Sequence, residues 1–136
     1  MPDISTEKVC YVIVKAREFD VKVGVEEPEP GGNPSDSGSR EVLQDYADDP
    51  TYQELKGFVD DLNEDEQIDL VAMVWVGRGD FSAAEWAEAR EEAARAREEH
   101  GHTADYLLGA PLLGDYLEEA MNQFGLDCAE VELNHL

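Results

Sequence analysis

The chain has 136 residues, 42% of them apolar and 32% charged, and its 33 acidic side chains against 10 basic ones leave a formal charge of −23. That length and apolar content suffice for one buried core and are short for two, so a single domain is expected, with the surplus carboxylates in solvent. The sign of the charge disfavours direct binding to nucleic acid or to an anionic membrane, because both are held through Lys and Arg that displace counterions from phosphates.

Such a surface fits a basic protein partner, divalent cations or high-salt solubility, and a simply solvated acidic exterior is the plainest reading. The start Met1-Pro2-Asp3-Ile4 has no basic stretch followed by an apolar one, and no run reaches the ~18 apolar residues that span a bilayer. The expected compartment is therefore the cytoplasm. In that reducing setting Cys10 and Cys128 are expected as free thiols, although spacing alone does not forbid a bridge.

In chain order, Ser5 or Thr6 can cap a first helix reaching about Asp20, in which Val9, Val12, Ile13, Ala16 and Phe19 recur at helical spacing. The stretch about 24–38, rich in Pro, Gly, Ser and acid, cannot bury enough apolar surface to offset the entropy of ordering. It reads as a disordered acidic linker within the domain. Ser39 opens a short helix through Val42, Leu43 and Tyr46; Asp49-Pro50 then supplies an N-cap acid and a first-turn proline for a longer one. On that longer helix Tyr52, Leu55, Phe58, Val59 and Leu62 share a face, and Gly57 either weakens it or admits a close neighbour.

Asn63 and Glu66 stand at capping-box spacing ahead of an unbroken apolar run. Leu70 to Val76, with three valines, has the composition of a buried strand, but the cap upstream and the glycines downstream bracket a helix of about residues 64–76. Apolar nearly all round, it is expected at the centre of an all-α bundle of five or six helices. Ser82 and Glu85 form another capping box, opening a helix to about His100 with Trp86, Ala89, Ala93 and Ala96 on its stripe. Thr103 caps a short helix from Ala104 to Leu108, and Pro111 starts the last, with Leu113, Tyr116, Leu117, Ala120, Met121 and Phe124 inward and Gly125 as its stop. The tail, residues 126–136, is expected to be partly ordered at most.

The stretch Asp61 to Asp69 reproduces several positions of a calcium-binding EF-hand loop, yet the turn glycine is replaced by Glu66 and the bidentate glutamate by Ala72. A capping box accounts for the same residues, so no metal is expected there. Arg78-Gly79-Asp80 spells an adhesion tripeptide without the secretion signal that its context requires. His100 and His102 with Asp105 could ligate a metal, but a bare H-x-H at a helix end lacks the further ligands such a site needs. No nucleophile and base can be paired, no phosphate-binding loop occurs, and no cofactor is implied. Trp75, Trp86, Tyr106 and Tyr116 could line a pocket beside Arg78 and Asp115, although each also falls on a helical stripe, where core aromatics belong.

Asn63 to Asp80 (NEDEQIDLVAMVWVGRGD), the opening Ser82 to Trp86 and the stretch Thr103 to Glu119 resemble the DUF3775 family of uncharacterised bacterial proteins, and Ser5 to Cys10 and Ala16 to Asp20 resemble its longer members, so that the resemblance extends over most of the chain. The resemblance implies a small, helical, bacterial cytoplasmic protein and carries over no catalytic or binding residue. Composition and patterning favour a non-enzymatic interaction or regulatory protein, with a basic protein as partner and a homodimer open if an apolar helix face stays uncovered. Two alternatives remain: an enzyme for a small molecule, with or without metal, at Arg78, Asp80, His102, Asp105 and Asp115, and a nucleic-acid mimic that binds a basic protein.

Overall fold

The computed structural model describes residues 2–23, 49–101 and 103–128. They form α1 (Thr6–Val23), α2 (Pro50–Asp61), α3 (Glu64–Arg78), α4 (Trp86–His100), α5 (Thr103–Leu108) and α6 (Leu113–Gln123), with one 3₁₀ turn at Ala83–Glu85 and no strand among the described residues. The acidic linker and the short helix expected after Ser39 fall outside them.

Two helices start where their caps predict. Asp49 accepts the N–H groups of Thr51 and Tyr52 at 2.8 and 3.2 Å, with Pro50 as the first residue of α2. Asn63 accepts the Glu66 N–H at 2.8 Å while Glu66 takes the Asn63 N–H at 3.1 Å, so the calcium-like prelude is a closed capping box. Ahead of α4, Glu85 accepts the Ser82 N–H at 2.8 Å.

The last two helices start differently from expectation. Thr103 is the first residue of α5, and α6 begins at Leu113 because Leu112 adopts a left-handed conformation (φ 62°), which ends any helix attempted from Pro111. At the other end of α6, Gly125 (φ 74°) turns the chain so that the Leu126 N–H donates to the Met121 carbonyl at 2.8 Å, which closes the helix.

The central position of α3 follows from its sequence: with Leu70, Ala72, Met73, Val74 and Val76 all buried, no face can be given to water. It packs against α4 and α6 and touches α5, while α1 lies on α6 and α2, and α2 rests on α5. Contact with α6 is made through Gly77, which lies inside α3; a Cβ there would fall 1.9 Å from the Tyr116 carbonyl oxygen. Only Gly79 (φ 92°) serves as the helix stop. The α1–α6 contact uses Gly114, where a Cβ would sit 3.1 Å from the Ile13 carbonyl oxygen.

One polar residue interrupts the buried helix. Asp69, 0% exposed, accepts the N–H groups of Asp3 and Ile4 on Oδ2 at 2.8 and 2.9 Å and Arg90 Nε on Oδ1 at 2.6 Å. It ties the segment before α1 and the middle of α4 to the core.

Cys10 and Cys128, expected as free thiols, are instead joined in a disulfide, with their Cα atoms 5.7 Å apart. The apolar stripe of α1 carries Cys10 inward, to 1% exposure, and the Gly125 turn brings the following residues back over it. Sequence spacing could not reveal the bridge because 118 residues separate its two ends. No helix among the described residues is long and apolar enough to cross a membrane.

Candidate functional site

A cavity of about 230 Å³ opens between α3, α4 and the start of α5. From α3 it takes Gln67, Ile68, Val71 and Trp75, positions one and two turns apart on one side of the helix. Opposite them α4 presents Ala93, Ala96 and Arg97, whose alanine methyls are too short to fill the space. Gly101, in the left-handed conformation that closes α4 (φ 67°), makes the turn to Thr103 and Tyr106, which complete the lining.

The two aromatic residues are fixed to each other: Trp75 Nε1 donates to the Tyr106 hydroxyl at 2.9 Å, which links α3 to α5. On its outer side the Trp75 ring stacks on Phe81 at 6.1 Å between centroids. At the other end Arg97 Nε donates to Gln67 Oε1 at 3.0 Å, and Gln67 in turn gives its Nε2 to the Val59 carbonyl at 2.9 Å. The guanidinium is thus aimed by a relay from α2. Its ion pair to Glu64 is long, 3.5 Å, and Glu64 is 63% exposed.

The residues singled out from sequence are divided among separate ion pairs. Arg78 holds Asp80 through Nε at 3.0 Å and Nη2 at 2.5 Å, and its side chain also reaches Tyr106 at the cavity edge. Asp105 pairs with Lys56 of α2 at 3.1 Å. Asp115 receives Arg17 of α1 at 2.9 Å, and Glu118 takes the same guanidinium at 2.9 Å. His102 is outside the described residues, and no group of three metal-ligating side chains occurs among those described.

Of the four aromatic residues considered for a pocket, Trp75 and Tyr106 line the cavity, whereas Trp86 is packed edge-on against Phe124 at 5.1 Å and Tyr116 meets α3 at Gly77. Gln67 and Arg97 gave no signal in the sequence, since a glutamine in a first turn and an arginine on a charged helix both read as surface. The one usable hint was the alanine stripe of α4 opposite a tryptophan, where missing side-chain volume leaves either close packing or a gap.

Near Arg17 and Asp115, burial raises the Asp20 carboxyl from 3.8 to about 6, with Asp115 adding to the effect and Arg17 opposing it.

A family model described as a protein of unknown function (DUF3775) matches residues 52–126. Neither a search of curated proteins nor one of solved structures gave a match. The matched stretch is more than half of the chain and holds α3, α4, α5, α6 and every residue of the cavity lining, so the chain belongs to the DUF3775 family.

Proposed function

We propose that the protein is a non-enzymatic binding protein of regulatory type, which takes a small molecule with an apolar body into the cavity between α3, α4 and α5. The observation that carries this reading is the cavity itself, 230 Å³ with Ile68, Val71, Trp75 and alanine methyls as walls and hydrogen-bonding groups at its ends. Apolar cavities of about 150 Å³ already admit benzene, so one or two rings fit. A concave apolar site with few, convergent polar groups is the usual form of a small-molecule site.

Among the described residues the lining holds no carboxylate, thiol or imidazole, and Thr103, its one hydroxyl-bearing aliphatic side chain, has no base beside it among them. Binding without turnover is the chemistry such walls support. The strongly acidic exterior suits a basic protein as the partner that reads the bound state. A cytoplasmic location belongs to the same proposal, with the Cys10–Cys128 bridge then exposed to cellular reductants.

The test is a screen of one- and two-ring aromatics followed by amide chemical shifts. Binders are expected to move the resonances of Ile68, Val71 and Trp75, and Ala96→Phe, which fills the cavity, is expected to abolish those shifts while the protein stays folded. A library that moves none of them at millimolar concentration would overturn the reading, and so would chemical conversion of a bound compound.

A further inference from the structure

Taking the cavity as a ligand site, as proposed above, we infer that its ligand is a planar aromatic carboxylate, with the ring against Trp75 and Val71 and the carboxylate on Arg97. The inference rests on that reading and adds the chemistry of the ligand to it.

The shape argues for a flat body. Trp75 cannot swing freely, because Tyr106 holds its ring nitrogen and Phe81 covers its outer face, so the indole forms a preorganised wall. Ala93 and Ala96 on the opposite side offer only methyl groups. A rigid aromatic ring loses little conformational entropy between such walls and gains both apolar burial and an aromatic contact. A flexible aliphatic chain of equal area would gain the burial and lose more rotamer freedom.

The charge argues for an anion. Arg97 is the one cationic side chain in the lining among the described residues. Its orientation is set through Nε by Gln67, while Glu64 sits across from Nη1 at 3.5 Å on a largely exposed side chain. That counter-ion is in place weakly enough to be exchanged, and a ligand carboxylate arriving from the cavity side would form shorter charge-assisted hydrogen bonds to the guanidinium. A ligand ammonium would meet the guanidinium with like charge. A neutral ring would leave the Arg97–Glu64 pair as it stands and gain nothing from it.

Three probes of one shape separate these cases: 2-naphthoate, 2-naphthalenemethanol and 2-naphthylmethylammonium, titrated against the full chain by amide shifts and tryptophan fluorescence. 2-Naphthoate is expected to bind about 10- to 100-fold more tightly than the alcohol, the worth of a charge-assisted contact, and the ammonium most weakly. Arg97→Met is expected to weaken the naphthoate by about 10- to 100-fold and the alcohol by much less, with Arg97→Lys in between. If the alcohol or the ammonium binds the unsubstituted protein as well as the naphthoate does, the carboxylate inference is overturned while the cavity reading stands. If none of the three binds, the cavity reading itself is overturned for two-ring ligands, and the inference goes with it. The comparison among probes on the unsubstituted protein decides the matter even where an Arg97 variant fails to fold.

Discussion

Asp69 is a carboxylate with 0% exposure in the most apolar helix of the chain, and it holds its place because three donors converge on it from two other segments. Leaving such donors without an acceptor costs more than the net worth of the bonds, since the groups stay desolvated. Asp69→Ala is expected to lower the unfolding free energy by about 3 kcal/mol or more in urea, with loss of amide protection at Asp3 and Ile4. Asp20 acts in the opposite sense. Its folded-state pKa of about 6 lies above the ordinary 3.8, so the folded protein holds that proton more tightly than the unfolded chain does. The contribution is fully present below pH 3.8 and is lost as pH rises through 6. At pH 7 the charged carboxylate is therefore unfavourable by up to about 3 kcal/mol from the shift alone, and by about 1–2 after allowance for its partial access to water. Asp20→Asn is expected to stabilise the protein at pH 7 by that smaller amount and to remove the decline between pH 4 and 6. Equal pH profiles for the two proteins would show that Asp20 titrates normally.

Among the helices, two glycines give opposite forecasts for one substitution. A methyl group added at Gly57 in α2 would meet nothing within 4 Å, and the residue has helical neighbours on both sides, so Gly57→Ala is expected to stabilise by about 0.5–1 kcal/mol. At Gly77 the same methyl would fall 1.9 Å from a backbone oxygen of α6, and backbone cannot rotate away as a side chain can. Gly77→Ala is expected to cost about 3 kcal/mol or more, measured by the same urea titration, because α3 and α6 must move apart along their whole contact. The sequence shows why such a pair is hard to read. Helix starts at Asp49 and Asn63, the buried α3 and the stop at Gly125 were all legible, because caps, periodicity and turn glycines act within a few residues. Gly77 reads as a stop beside Gly79, since a glycine that ends a helix and one that admits another backbone both present the same absence of a side chain. The cavity was half legible for a related reason: Trp75 and Tyr106 could be picked out as aromatic, but their hydrogen bond joins residues 31 apart, and the Arg97–Gln67 bond joins residues 30 apart. Pairings at that range are set by how helices pack, and local pattern carries no record of it.

At the scale of the whole molecule, the stretch that the family model matches is fastened to the helix that precedes it. The matched residues 52–126 contain the cavity and four complete helices, whereas α1 and both cysteines lie outside them. Helix α1 is held in two ways: by its apolar stripe on α6 and α2, and by a covalent bond from Cys10 to the residue two places beyond the matched stretch. A bridge across 118 residues restricts the unfolded chain strongly, and in the chain-entropy account is worth about 5 kcal/mol. Reduction by a dithiol is therefore expected to lower the thermal midpoint by about 10–20 °C, with two thiols per chain becoming alkylatable. Because Cys10 is buried against the core, reduction should leave α1 packed at temperatures well below that midpoint and should loosen first the short segment Leu126–Cys128, whose amides lose protection. None of the cavity walls belongs to α1 or to that segment. Affinity for 2-naphthoate is accordingly expected to be the same in the oxidised and reduced proteins at 25 °C, measured by tryptophan fluorescence. An affinity that falls on reduction would mean that α1 supports the cavity through α6 and α3, and that the matched stretch does not hold the site by itself.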